Sequence, residues 1–146
     1  MLLLDDTSPH AIVVDPAIPE SAATVTMALV AQWPRLDGRV TFIASGLGEF
    51  DFQPTDVVVS CHACGALTDR VLDHAVAVGA TVAVLPCCHD FATCDPGSLR
   101  GWVDGALAID LMRAVRLEQR GYRVWTQKIP EAVTPKNRLL VGIKHT

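Results

Sequence analysis

The sequence predicts an α/β protein built on a doubly wound, mostly parallel sheet that ends in an antiparallel edge hairpin. Three observations predict it. Short β-branched runs alternate with stretches of helical periodicity along the chain. Half of the 146 residues are hydrophobic and only 19% are charged, a balance that excludes a disordered chain and fits strands buried on both faces. The last two apolar runs are joined by a short link and can pair antiparallel, whereas the earlier ones, separated by helices, pair parallel.

Taken in order, residues 11–14 form a strand ended by Asp15 and Pro16, and residues 20–33 a helix stopped by Pro34. Residues 40–43 and 56–60 are the second and third strands. Residues 68–78 form a helix with Gly79 at its C-terminal end, and residues 81–85 the fourth strand. Asp95 and Pro96 open a helical region that runs to Arg120, is weakened early by Gly101 and Gly105, and is closed by Gly121. Residues 122–128 and 138–143 are the last two strands, linked by a turn holding Pro130 and Pro135. A chain of this length is expected to form one domain, 1–146, able to bury its own core. Its apolar runs fall far short of the roughly 20 residues of a membrane span. The opening Met1-Leu2-Leu3-Leu4 meets Asp5 and Asp6 with no basic start, so the expectation is a soluble, cytoplasmic protein without a secretory signal or a membrane partner.

The net charge of −4 conceals an asymmetry. Residues 1–112 carry 14 acids against four arginines, and residues 113–146 carry eight basic residues against Glu118 and Glu131. The basic end could face an anionic acceptor, although Arg113, Arg116 and Arg120 lie at helical spacing and are expected to form a solvated face. Five cysteines, an odd number, fall between Cys61 and Cys94. Such clustering points to reduced thiols at a site rather than to disulfide staples.

In a doubly wound sheet ligands sit beyond the carboxyl ends of the strands. After the first strand stands Asp15, where an acid can accept ribose hydroxyls or simply start a turn. After the third strand the chain reads Ser60-Cys61-His62-Ala63-Cys64-Gly65, then Leu67-Thr68-Asp69; after the fourth it reads Pro86-Cys87-Cys88-His89. Strands joined by one helix are usually neighbours, so the two sulfur-rich turns are expected to meet on one side of the sheet.

These turns resemble the His-x-Cys-Gly and Cys-Cys-His signatures of a class I methyltransferase-like family that uses S-adenosylmethionine and includes tRNA 2′-O-methyltransferases. The resemblance spans residues 10–143 and implies a Rossmann-like fold. It implies that Asp15 holds the cofactor ribose, that Gly46 and Leu47 flank adenine, and that Ser60, Cys61 and His62 stand where methyl group and acceptor meet. Cys64, Pro86, Cys87, Cys88, Lys136 and Asn137 are then the acceptor side. An imidazole titrates near neutrality, so His62 or His89 is a candidate base for a hydroxyl acceptor, a small molecule or RNA. Asp69 is expected to orient a histidine or to cap its helix. The family's first strand and glycine-rich turn are missing: residues 1–9 contain no glycine, and Met1 to Asp6 look like the end of the helix that follows that turn. The expectation is a domain incomplete at its N-terminus, weak or no binding of S-adenosylmethionine by this chain alone, and unpaired inner strand edges met either by a rearranged sheet or by a homodimer.

Two rival readings stand beside this one. Zinc-dependent deaminases carry His-x-Glu and Pro-Cys-spacer-Cys, which His62, Cys87 and Cys94 match as zinc ligands, but Cys64 occupies the place of the proton-shuttling Glu. The third reading is a non-catalytic module for binding or assembly. The leading reading assigns no metal.

Overall fold

The computed structural model describes residues 8–145, so the expected helix end at residues 1–6 lies outside the described residues. Contacts divide the chain into two compact units, one extending to Asp51 and the other starting at Phe52.

In the first unit, β1 (Ala11–Asp15) and β2 (Val40–Ala44) pair parallel, with Ala11 opposite Val40 and Asp15 opposite Ala44. They are connected by α1 (Ser21–Gln32) and a short 3-10 turn, Pro34–Leu36. Proline explains both stops: Pro16 cannot continue the ladder, and Pro34 cannot continue the helix. The Asp15 carboxylate accepts the Ala17 N–H at 2.9 Å, which turns the chain out of β1.

The second unit holds β3 (Val57–Cys61), α2 (Ala66–Val78), β4 (Thr81–Leu85), a 3-10 turn (Gly97–Gly101), α3 (Gly105–Gln119), β5 (Tyr122–Lys128) and β6 (Arg138–Lys144). Its four-stranded sheet has the order β3-β4-β6-β5; β3 and β4 are parallel, and β6 runs antiparallel to both of its neighbours. The expected edge hairpin is therefore present, with its second strand on the inside. Among the described residues β1 pairs only with β2, and β3 is an edge strand.

Alternation along these strands decides which face is covered. Val58, Val82, Val84, Leu140 and Tyr122 are buried, and Ala75, Ile109 and Leu117 of the two helices are buried with them. Each large apolar side chain so enclosed contributes roughly 1.5–3 kcal/mol. Gly142 permits the close approach of α3: a Cβ there would lie 3.1 Å from Leu117 and Tyr122 and 3.3 Å from Val82. The Tyr122 hydroxyl lies 3.0 Å from the Ala80 carbonyl and 3.3 Å from that of Ala75, tying the end of α2 to β5.

Two boundaries and the burial of one arginine differ from the sequence expectation, each for a local reason. Gly65 takes φ 57°, and α2 starts directly after it, two residues before position 68. The helical region from 95 breaks at Gly101 and resumes at Gly105, where Asp104 caps α3 by accepting the Leu107 N–H at 3.0 Å. Arg113 does not belong to a solvated face: it is fully buried, for reasons given below. No helix among the described residues is long and apolar enough to cross a membrane.

Candidate functional site

The parallel register of β3 and β4 sets Cys61 opposite Leu85, so the turns that follow them emerge side by side. They are bound together by the Gly65 N–H, which donates to the Cys88 carbonyl at 3.1 Å. A Cβ at Gly65 would lie 3.3 Å from that of Asp90, so glycine serves both the positive φ and the close approach. The Thr68 hydroxyl holds the Ala63 carbonyl, and Arg113 reaches the Gly65 carbonyl at 3.1 Å. His62, exposed, takes φ 64°, a left-handed conformation that costs a non-glycine residue roughly 1–3 kcal/mol.

This scaffold brings three sulfurs together. Cys64 Sγ lies 3.3 Å from Cys87 Sγ and 3.5 Å from Cys88 Sγ. Cys87 is buried, whereas Cys64 and Cys88 are exposed. Hydrogen bonding to Cys87 and Cys88 pushes the Cys64 thiol up to about 12. The Cys88 thiol is lowered, first by the hydrogen bond from Cys64, then by Cys87 and the positive charge of Lys136.

Beside the thiols, His89 Nε2 lies 2.8 Å from Asp110 Oδ1 on α3. The second oxygen of Asp110 accepts from Arg138 Nε at 2.6 Å, and Oδ1 also accepts from Arg113 at 3.1 Å. Pro86, His89, Lys136 and Asn137, four residues singled out from the sequence, line one cleft of about 270 Å³ together with Asp104, Ala106 and Arg138. Lys136 is exposed. Asn137 is nearly buried and spends its amide on the Ile129 carbonyl at 2.8 Å, which fixes the turn before β6.

Asp69 has partners other than those expected. It neither caps α2, whose N-cap is Gly65, nor meets a histidine; it takes Arg113 through both oxygens at 3.2 and 2.7 Å, and Arg116 besides. Burial alone would raise its pKa, but the hydrogen bonds and charges of the two arginines outweigh that effect and hold the carboxyl below its ordinary value. Cys94 Sγ lies 3.7 Å from Asp69 and 3.6 Å from Arg113. The turn from Asp90, whose carbonyl accepts the Cys94 N–H at 2.8 Å, carries Cys94 to this place. The deaminase-like set of His62, Cys87 and Cys94 is thus not gathered; among the described residues the set within ligating reach is Cys64, Cys87 and Cys88. Asp110 and the buried role of Arg113 are what sequence reasoning missed, since their partners sit on other elements.

Asp15, Gly46 and Leu47 belong to the first unit. The register sets Asp15 opposite Ala44, and the Ser45 N–H donates to the Asp15 carbonyl at 3.1 Å. Gly46 donates its N–H to the Glu49 carboxylate at 3.2 Å, and Leu47 is half-buried. The carboxylate of Asp15 and the turn at Gly46 therefore stand at adjacent strand ends.

No family model matches the chain. A stretch of 52 residues is 40% identical to a "Glutathione S-transferase C-terminal domain-containing protein" of Xenopus laevis, covering 36% of this chain and 8% of that protein. Among solved structures, a protein of Clostridium thermocellum described as a "putative rRNA-methylase" superposes with a TM-score of 0.53 at 16% identity, over 94% of this chain and 74% of its own. At that identity the likeness concerns the backbone. The chain has the Rossmann-like α/β fold of that methylase structure.

Proposed function

We propose that the chain is a methyltransferase-like protein that uses S-adenosylmethionine and accepts a hydroxyl-bearing anionic acceptor, RNA being the favoured class, in the cleft beside His89. The observation that carries this reading is the His89–Asp110 pair opening on a cleft that also holds Lys136 and Arg138. An ionised carboxylate on Nε2 fixes the ring and its tautomer, leaving Nδ1 as the nitrogen able to take a proton. Lys136 and Arg138 offer positive charge to a phosphate nearby. The fold likeness supports the reading at the level of architecture.

The residues of the first unit fit the adenosine end of the cofactor: Asp15 suits ribose hydroxyls, and the turn at Gly46 and Leu47 suits adenine. A glycine-rich turn normally receives the charged amino-acid end, and residues 8–37 contain no glycine, so none of these residues is assigned to that end. When bound, the cofactor supplies an electrophilic methyl group. Ser60, Cys61 and His62, at the end of β3, orient the acceptor in this reading, which asks mostly for alignment.

The test is calorimetric titration of the chain with S-adenosylmethionine, followed by transfer of labelled methyl groups to total RNA. Weak saturable binding and slow transfer are expected, with His62→Ala lowering transfer more than Cys88→Ser. Absence of both binding and transfer overturns the reading.

A second reading, the binding or assembly module, is favoured by the edge strand β3, whose Val57 and Val59 are 45% and 64% exposed. Open edges of this kind recruit other strands. We expect a homodimer, recognised by a mass in solution twice that of the chain and reduced by Val59→Lys; a monomer at all concentrations removes this reading.

A further inference from the structure

We propose that Cys64, Cys87 and Cys88 form a three-thiolate site for a soft, thiophilic cation of the zinc or copper(I) class. The inference is separate from methyl transfer, since it needs neither cofactor nor acceptor.

Two loops more than 20 residues apart in sequence deliver three sulfurs to one point: Cys64 lies 3.3 Å from Cys87 and 3.5 Å from Cys88, and all three ligand atoms fall within 4.8 Å of one another. A tetrahedral zinc site with Zn–S bonds of about 2.3 Å has sulfur–sulfur edges of roughly 3.8 Å. The Cys64–Cys87 and Cys64–Cys88 edges therefore need to lengthen by only about 0.3–0.5 Å to admit the ion. Packing does not account for the cluster. A free cysteine used as a small hydrophobe is buried, yet Cys64 and Cys88 are exposed, and thiol–thiol hydrogen bonds are too weak to assemble two loops by themselves.

The loops are held in place independently of the sulfurs. Gly65 N–H to the Cys88 carbonyl, Thr68 to the Ala63 carbonyl and Arg113 to the Gly65 carbonyl fix the backbone on either side of the ligands. A site so preorganised loses little freedom on binding. Sulfur donors without carboxylates exclude calcium and magnesium and select soft ions. On binding, three S–H bonds break, three sulfur–metal bonds form, and three protons leave to solvent. The exposure of Cys64 and Cys88 leaves a fourth coordination position reachable from solvent.

The experiment uses the whole chain, reduced and stripped of metal, titrated with zinc and separately with copper(I) against a chromophoric chelator. Cobalt(II) then reports sulfur-to-metal charge transfer in proportion to the thiolates bound. One equivalent of ion with a three-thiolate cobalt spectrum is expected. Cys64→Ser or Cys88→Ser, both at exposed positions and checked for folding by circular dichroism, should each weaken binding by more than about 100-fold, above the roughly 10–100-fold lost with an outer-sphere partner. Cys61→Ser, exposed but outside the cluster, should leave it intact. Binding of neither ion, binding unaffected by the two variants, or recovery of a Cys64–Cys87 disulfide in place of metal under reductant would each overturn the proposal. Because none of these readouts involves methyl transfer, they fail or succeed independently of the cofactor experiment.

Discussion

Replacing Arg113 by Ala is expected to destabilise the second unit by about 3–5 kcal/mol, a large share of the roughly 5–15 kcal/mol that holds a domain together. The guanidinium is completely buried, and its donors are divided between Asp69 at 2.7 and 3.2 Å, Asp110 at 3.1 Å and the Gly65 carbonyl at 3.1 Å. Truncation leaves two carboxylates short of a cation, 16% and 11% exposed, and strands a buried carbonyl next to a void. Arg113→Lys retains charge but not the fork that serves three acceptors at once, so it should recover only part of the loss. Arg116→Ala is the contrast: its side chain is 45% exposed, and a half-solvated ion pair contributes less than about 1 kcal/mol. Urea unfolding of the three variants measures the difference. A loss for Arg113→Ala no larger than that for Arg116→Ala would mean that the buried network carries no stability.

The same network fixes the acid limit. Asp69 has a folded-state pKa below its ordinary value of 3.8, so the unfolded chain binds the proton more readily. The stabilisation is fully present above that value and is lost as pH falls through the lower folded-state pKa. Thermal melts carried down through this range should fall steeply for the native chain and less steeply for Asp69→Asn.

Much of this fold was legible because its stops are chemical. Pro16, Pro34, Gly79 and Gly121 end their elements wherever the sequence is followed, and the two sulfur-rich turns could be matched because a single helix separates their strands. Arg113 was not legible. Its spacing with Arg116 and Arg120 is that of a wet helical face, and periodicity cannot report that Asp69, on another helix, waits opposite Arg113 and Arg116. Cys94 misled for a related reason: six intervening residues after Cys87 make a plausible ligand spacing, but the Asp90 turn takes its sulfur to Asp69 instead. The position of β6 between β4 and β5 also escaped, since a short link guarantees only that β5 and β6 pair.

His89→Ala is expected to lower methyl transfer to a hydroxyl acceptor by about 10²–10⁴-fold, the range that a positioned base supplies. The ring has little freedom to leave this position. Its side chain is 5% exposed, and Asp110 is itself held by Arg113 and Arg138, so the carboxylate cannot swing away from Nε2. Asp110→Asn tests the positioning role separately: it would keep the size of the partner, remove its charge and permit the wrong tautomer, and it should lower kcat with little change in KM. Lys136→Ala should do the reverse, raising KM for a phosphate-bearing acceptor while leaving kcat close to native, because an exposed lysine at the mouth of the cleft binds charge without touching the proton. Opposite signatures from Asp110→Asn and Lys136→Ala would assign proton transfer to the histidine and acceptor capture to the basic rim. Parallel losses in both variants, or native rates in His89→Ala, would remove His89 from the chemistry and return the question to His62 at the end of β3.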